Sequence, residues 1–396
     1  MKILVINAGS SSIKYQLLDM ASGNDLASGI VERIGEEMGS ISYKTSEKYT
    51  AEQPFPTHRE GMVEVINLLT DADKGVVKDK AEIAAIGHRI VHGGELFFEP
   101  VEIDEKVLQG IRDCIPLAPL HNPGHVIGIE TSMELFPGVR QVAVFDTSFH
   151  QTMEPKAYMY GVPYEYYENW GLRRYGAHGT SHKYVARETA KLLGKPLEEC
   201  NIITVHLGNG ASISAVKNGK CYDTSMGLTP LGGIIMGTRC GDIDPAIVGF
   251  IAERTKQSAA EVVATLTNES GLKGICGSND LRDIHARIEE GDEKAKLALD
   301  MACHRVRQFI GSYAFELGRV DAIVFTAGIG ENDEIYRENC LSGLENFGIT
   351  INKEKNDNWD RTPSYISDDE GAVKVAIIAT NEELEIANDT VAVLGL

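Results

Sequence analysis

Asn7-Ala8-Gly9-Ser10-Ser11-Ser12, with Lys14 just beyond, has the groups a phosphate needs. Gly9 lets the backbone approach an anion closely, backbone N–H groups and hydroxyls donate to its oxygens, and Lys14 adds positive charge. Asn7 offers an amide oxygen to a metal ion or its water. The same residues also suit an ordinary Ser-rich hairpin turn, so the chemistry depends on what else gathers there. Arg89 ends a strand-like run and precedes the loop Val91-His92-Gly93-Gly94, a placement that suits an anion. Arg239 sits in a second Gly/Thr-rich loop, Gly237-Thr238-Arg239-Cys240-Gly241-Asp242. His178 lies among small residues in Tyr175-Gly176-Ala177-His178-Gly179-Thr180-Ser181-His182. Asp146 closes an apolar run, where a carboxylate serves a phosphate or metal site or caps a turn. Glu382 follows Thr380-Asn381 and is free to face a site. His88 and His92 are four apart but sit on an expected strand with no Glu at the second place of the His-Glu-x-x-His pattern, which disfavours a metal role.

The elements that must hold these residues follow from pattern. Ile3-Leu4-Val5-Ile6 reads as a buried strand and Ile13 to Asp19 as its hairpin partner. Ile83–Ile86 and Gln141–Phe145 are further buried strands, and residues 60–72 have helical spacing. Residues 151–175, rich in Tyr and Pro, read as a connection between domains. A helix is expected from about Lys183 to Leu193, capped by Thr180 or Ser181. A long one spans about Glu293 to Leu317, with Leu297, Met301, Val306 and Ile310 on its apolar face. Thr380 with Glu383 fits a capping box for the last helix.

Ile202–Val216 repeats the first hairpin: four β-type residues, a polar and an apolar residue, Gly208 below Gly9, a small polar turn and a second strand. The offset of about 200 residues is half the chain and points to a duplicated fold. Two such halves would place one nucleotide between them. Asp321–Thr326 then runs into Ala327-Gly328-Ile329-Gly330-Glu331-Asn332, a strand, Gly-x-Gly turn and helix that suits a nucleotide.

The chain of 396 residues is long enough for two domains. A formal net charge of −20 argues against nucleic acid or an anionic membrane surface as partner, because both need basic patches. The seven cysteines form no Cys-x-x-Cys pair, which disfavours a zinc site or disulfide framework and fits a reducing cytoplasm. No apolar run approaches the ~20 residues of a membrane helix, and the amino-terminal apolar run is too short for a signal peptide. The P-loop, Rossmann and protein-kinase signatures are missing.

Taken together, the motifs at 7–14, 88–94, 145–147, 175–182, 206–210, 237–242, 326–332 and 380–383 resemble, in order and from end to end, those of the acetate kinase family. That family belongs to the acetate and sugar kinase, Hsp70 and actin superfamily. The resemblance implies an α/β chain of duplicated ribonuclease H-like (actin-like ATPase) domains, mixed sheets flanked by helices. These would be residues 1–149 and 150–382, with the last helix, 383–396, returning to the first. It also implies a homodimer in the cytoplasm, ATP/ADP and acetate/acetyl phosphate as substrates, and Mg²⁺, with Mn²⁺ able to substitute.

By the same resemblance, Asp146, His178 and Arg239 would be catalytic. A carboxylate acceptor, with a reference pKa near ~4.3 (taking Glu), is already ionised at pH 7, so His178 and Arg239 would act by charge and hydrogen bonding rather than as bases. Arg89 would hold the acetate carboxylate, and Val91, Leu120 and Pro230 would form its acyl pocket, with His121 in support. Lys14, His206, Leu207, Gly208, Asn209, Gly210, Asp280, Leu281, Arg282, Gly328, Ile329, Gly330, Glu331 and Asn332 would line ATP. Asn7 and Glu382, with Asp146 a further candidate, would place the Mg²⁺, largely through water. Some family members carry Phe just before the catalytic His. Ala177 there implies a roomier pocket and appreciable use of propionate. The alternatives are a propionate or other short-chain acid kinase, or a non-kinase actin/Hsp70-like ATPase.

Overall fold

The computed structural model describes residues 1–396. The chain divides into two compact units, Met1–Phe149 with Asn381–Leu396, and His150–Thr380.

In the first unit, β1 (Lys2–Ala8) pairs antiparallel with β2 (Ser12–Asp19), and β3 (Asn24–Glu32), β4 (Gly39–Lys44) and β5 (Lys48–Gln53) continue outward. On its other edge β1 runs parallel to β6 (Ile83–Ile90). After β7 (Val101–Glu102) the chain forms β8 (Arg140–Phe145), parallel to β6, giving the order β5-β4-β3-β2-β1-β6-β8-β7. Ile3–Ile6 of β1 is an unbroken apolar run because both its faces are covered. Leu4, Ile6 and Ala8 pack with Met62 and Val65 of the helix His58–Leu69. Ile3 and Val5 pack with Ile386 and Ala387 of the helix Glu382–Leu394.

The second unit repeats this core. β9 (Asn201–Leu207), β10 (Ala211–Lys217) and β11 (Lys220–Thr224) form an antiparallel meander, and β9 runs parallel to β12 (Ala322–Thr326). With β13 (Ser364–Tyr365) and β14 (Lys374–Ile377) the order is β11-β10-β9-β12-β14-β13. Thus β3-β2-β1-β6-β8 and β11-β10-β9-β12-β14 have the same directions and connections, the duplication that the Gly9/Gly208 alignment suggests. The molecule is an α/β chain of two mixed sheets flanked by helices.

Several expected local features differ. The helix expected from Lys183 spans Gly179–Leu193, so Thr180 and Ser181 lie inside it. Its N-cap is His178, held at φ 58° with no side-chain cap bond. The cap of the last helix is Asn381, whose side chain accepts from the Leu384 N–H. Thr380 is engaged elsewhere, its N–H donating to Glu331 and its hydroxyl 2.7 Å from Ser181 Oγ. In the helix Glu293–Leu317, Leu297 and Met301 face outward at 52% and 39% exposure. Small residues, Ala295, Ala298 and Ala302, let the helix lie close to the core, with Leu299, Val306 and Ile310 completing the buried stripe. Residues 151–175 contain two short helices, Pro155–Tyr158 and Tyr164–Trp170.

Candidate active site

In the first unit the β1–β2 turn is fixed from three sides. Gly9 N–H donates to the Ser12 carbonyl at 2.8 Å, and His58 Nε2 donates to the Gly9 carbonyl at 2.7 Å. The helix Asn122–Leu135 packs its first turns onto the same backbone. A Cβ on Gly124 would stand 2.6 Å from Gly9 C and 2.9 Å from Ser10 N, and one on Gly128 would stand 2.4 Å from Ala8 Cβ. These two glycines, four apart, allow the close approach.

Asn7 and Lys14 are register partners at the turn end of this hairpin. They line a cavity of about 500 Å³ with Arg89, Glu382 and Glu383. Arg89, near the end of β6, gives Nε and Nη2 to the buried carboxylate of Asp146, with Nη2–Oδ2 at 2.7 Å. Its Nε is also 3.7 Å from Glu382. Burial works against the Arg89 charge, but Asp146 and Glu382 more than offset it, and its pKa is raised. Glu382 moves the other way from an ordinary paired carboxylate. Burial raises its pKa, Arg89 lowers it, and Asp146 and Glu383 raise it again. The cluster thus carries more carboxylate than guanidinium. His125, buried beneath it, has its pKa lowered to about 4 by burial and by Arg89.

In the second unit the groups gather at the β9–β10 turn. His206 lies opposite Ser212 in the register, and the His178 ring stacks on His206 at 4.2 Å between centroids. His178 Nδ1 is 2.8 Å from Ser212 Oγ, and His206 Nδ1 is 2.8 Å from Ser181 Oγ. Arg239 Nη1 donates to the Pro230 carbonyl at 3.1 Å and lies 3.9 Å from the Met236 sulfur, and the residue has no carboxylate partner. Burial lowers its pKa, but a guanidinium remains charged. A Cβ on Gly210 would lie 3.3 Å from Arg239 Nη1 and 3.4 Å from His178 Nε2. Arg239 Nη1 and His178 Nε2 therefore edge the same small space, and a glycine keeps it open. Two non-glycine residues here adopt left-handed backbone, His178 (φ 58°) and Ala327 (φ 66°). Such strain persists where the surroundings over-determine it, commonly at functional sites.

Beside this turn lies a cavity of about 910 Å³ lined by Asn209, Asp280, Leu281, Arg282, Gly328, Ile329 and Asn332, together with Asn279, His285 and Arg361. Not every expected site residue presents a side chain. Leu207 and Leu281 are packed in the core, and Gly330 is buried, its carbonyl accepting from Arg337. Glu331 accepts from the Thr380 N–H, and Arg282 pairs with the capping Asp280. In the first unit Val91 is half-buried, while His121 and Leu120 are exposed, Leu120 at 76%. Ala177 corrects an expectation: it is 6% exposed and packed in the second unit's core, so a Phe there would overpack that core.

Glu383, His125, Ser212 and His182 join these clusters although the sequence reading gave them no role at the site. One signal pointed to Ser212. Thr204 and His206 alternate with Ile203, Val205 and Leu207, and Ser212 and Ser214 with Ile213 and Ala215, so one face of a buried hairpin is polar.

The sequence profile described as the Acetokinase family matches residues 2–388. A curated acetate kinase of Maridesulfovibrio salexigens is 96% identical over 396 residues, covering 100% of both chains. The crystal structure of Porphyromonas gingivalis acetate kinase superposes with a TM-score of 0.96 at 43% identity, covering 99% of each chain. That of a propionate kinase from Francisella tularensis gives a TM-score of 0.92, also at 43% identity, covering 98% of each.

Proposed function

The chain belongs to the acetokinase family, and from that premise we propose that it transfers the γ-phosphoryl group of ATP to acetate, reversibly, giving acetyl phosphate and ADP. Acetate is preferred to propionate in this reading because the 96% identical relative is an acetate kinase, while the solved propionate kinase shares 43%. The observation that carries it is the pair at Gly210: Arg239, a half-buried cation without a carboxylate, beside Nε2 of His178. Such a pair suits the charge that spreads over a transferring phosphoryl group. Acetate is ionised at pH 7 and needs no base.

Arg89 binds the acetate carboxylate. Asp146 occupies its Nε and one N–H of Nη2, and leaves Nη1 with the second N–H of Nη2 for the substrate. Asp146 is thus the residue that aims Arg89. The acyl group meets Val91, Leu120 and Pro230, with His121 in support, and in-line transfer requires the acetate oxygen to come within bonding reach of the γ-phosphorus. Lys14 and the turn residues from His206 to Gly210 hold phosphate oxygens. The rest of the nucleotide takes the 910 Å³ cavity, with the backbone of the 328–332 turn at its edge.

Mg²⁺, or Mn²⁺ in its place, fits Asn7 and Glu382. The surplus carboxylate charge around Glu382 favours a cation, and Mg²⁺ is commonly held by one or two carboxylates together with water and substrate phosphates. Such an ion neutralises charge on the phosphates. A homodimer is supported by the helix Ala246–Thr255, which buries none of its residues within one chain and exposes Phe250 at 58%. Seven free cysteines fit a reducing cytoplasm.

The test is ATP-dependent acyl phosphate formation, trapped with hydroxylamine, over acetate, propionate and butyrate. Acetate should give the highest kcat/KM. No ATP-dependent product would overturn the kinase reading, and equal use of butyrate would overturn the substrate.

A further inference from the structure

The loop that leaves β11 is fastened, residue by residue, to the segment from Tyr158 to Gly176. Arg174 Nη1 donates to three successive carbonyls, that of Thr224 at 2.7 Å and those of Ser225 and Met226 at 3.0 Å. Three carbonyl dipoles aimed at one point repel unless a positive charge sits there, and the guanidinium supplies it. The N–H groups of Tyr175 and Gly176 both donate to the Gly227 carbonyl at 3.1 Å. Tyr160 then takes the next residue, its hydroxyl oxygen accepting from the Leu228 N–H at 2.9 Å. The Arg174 guanidinium stands 6.0 Å from the centre of the Tyr160 ring. Tyrosine and loop approach so closely that a Cβ on Gly227 would lie 2.3 Å from Tyr160 Oη.

Leu228 is two residues from Pro230, whose carbonyl accepts from Arg239 Nη1 at 3.1 Å. Beyond Pro230 the loop is fastened again at Gly233. Its N–H donates to Asp242 Oδ1 at 2.7 Å, and its carbonyl accepts from the Asp242 N–H at 2.8 Å. Pro230 therefore stands on a short span tied at Leu228 and at Gly233. Within that span the Leu231 N–H turns back to the Thr229 hydroxyl at 3.3 Å, and Thr229 is exposed. Freeing one end of such a span returns conformational freedom to the residues between the ties.

From this we infer that Tyr160 is a positioning residue: by holding Leu228, its hydroxyl sets where the Pro230 carbonyl stands, and so aims Arg239. Arg89 is aimed by a carboxylate, but Arg239 has a carbonyl in that role. The inference rests on the kinase reading for its consequence, while the Tyr160–Leu228 contact is a property of the protein alone. In that reading Pro230 is also a wall of the acyl pocket. One hydroxyl then governs both the cation that meets the phosphoryl group and the size of acid that is accepted. A tyrosine that only filled space would govern neither.

Tyr160→Phe removes the hydroxyl and keeps the ring. The test begins without substrate, by hydrogen exchange on the full-length protein. The Leu228 N–H should exchange roughly 2–10-fold faster in the variant, the scale of one neutral hydrogen bond. Unchanged exchange at Leu228 would overturn the inference. For catalysis, kcat should fall about 10-fold. The preference for acetate over propionate in kcat/KM should narrow several-fold, within the roughly 10–200-fold that one methylene commands. KM for ATP should hold, since no residue from 224 to 242 lines the cavity of about 910 Å³. Natural kcat and natural preference in a folded Tyr160→Phe enzyme, whatever its melting temperature, would overturn the inference and leave the kinase reading intact. Gly227→Ala separates the contact from general packing. Its methyl would stand 2.3 Å from Tyr160 Oη but 3.6 Å from Cζ, so it should lower kcat in the natural enzyme and add little in Tyr160→Phe. Equal losses in both backgrounds would overturn the inference. Absence of acetyl phosphate synthesis by the natural enzyme would overturn the kinase reading and leave the exchange data to decide the Tyr160 contact.

Discussion

Asp146 grips Arg89 through both carboxylate oxygens, with Nη2–Oδ2 at 2.7 Å and Nε–Oδ1 at 3.2 Å. A bidentate pair fixes a guanidinium in plane as well as in place. The consequence is that one edge of Arg89 is committed inward, and Nη1 with the second N–H of Nη2 is left to meet an anion.

Asp146→Asn should therefore misdirect Arg89 rather than remove it. Small misplacements of a substrate-positioning group cost about 10²-fold, and kcat/KM for acetate should fall by that order, with KM rising. Steady-state kinetics at saturating ATP measures this. Unchanged constants would show that Arg89 keeps its orientation without Asp146.

Arg239→Ala should abolish most turnover and leave the fold intact, since the side chain's polar contacts are one carbonyl and one sulfur. Arginines that stabilise phosphoryl transfer are worth roughly 10³–10⁵ in rate. Arg239→Lys should rescue poorly, lacking the planar fork. A purified variant with near-natural turnover and circular dichroism would remove Arg239 from the mechanism.

Gly210→Ala tests whether His178 and Arg239 share one space. The added methyl would be 3.3 Å from Arg239 Nη1 and 3.4 Å from His178 Nε2, close enough to shift either by a few tenths of an ångström. A fall in kcat on the order of 10-fold is expected, with little change in melting temperature. A large loss of stability with unchanged specific activity would refute that account.

Gly124→Ala should act in the opposite way, on stability first. Its methyl would meet backbone atoms of Gly9 and Ser10 at 2.6 to 2.9 Å. Backbone cannot step aside as a side-chain tip can, and overpacking of this kind costs about 1–3 kcal/mol. Urea denaturation should show a lower midpoint at unchanged slope. An unchanged midpoint would mean that the β1–β2 turn and the helix Asn122–Leu135 can part without cost.

Acid should destabilise the chain through buried histidines. Burial lowers the pKa of His88 from 6.5 to about 4, and His125 is also lowered to about 4. A depressed histidine contributes stability above its unfolded pKa and loses it as pH falls through its folded one. The window is thus from about 6.5 down to about 4, worth on the order of 3 kcal/mol for each ring. Urea midpoints at pH 7.5 and pH 5 should differ, and His88→Gln should narrow the difference. Equal midpoints at both pH values in the natural protein would count against this account.

The strands, the repeat and the residue types of the site can all be read along the chain. Ile3–Ile6 is an apolar run and Ile202–Val205 a β-type run broken only by Thr204, and Gly9 and Gly208 follow the matching strands. Those are local properties, set by period and by turn chemistry. The loops of His178 and Arg239 are legible for the same reason: small residues flank a lone charged or titratable group in an acidic chain. What these groups touch emerges only when the chain is folded. That Asp146 aims Arg89, that Ala177 faces the core, that Asn381 rather than Thr380 caps the last helix, and that Ser212 joins His178 to His182 each depend on how the backbone is placed in three dimensions. A hydrogen bond is fixed by distance and angle between its two ends, and neither is written in the spacing of residues along one chain.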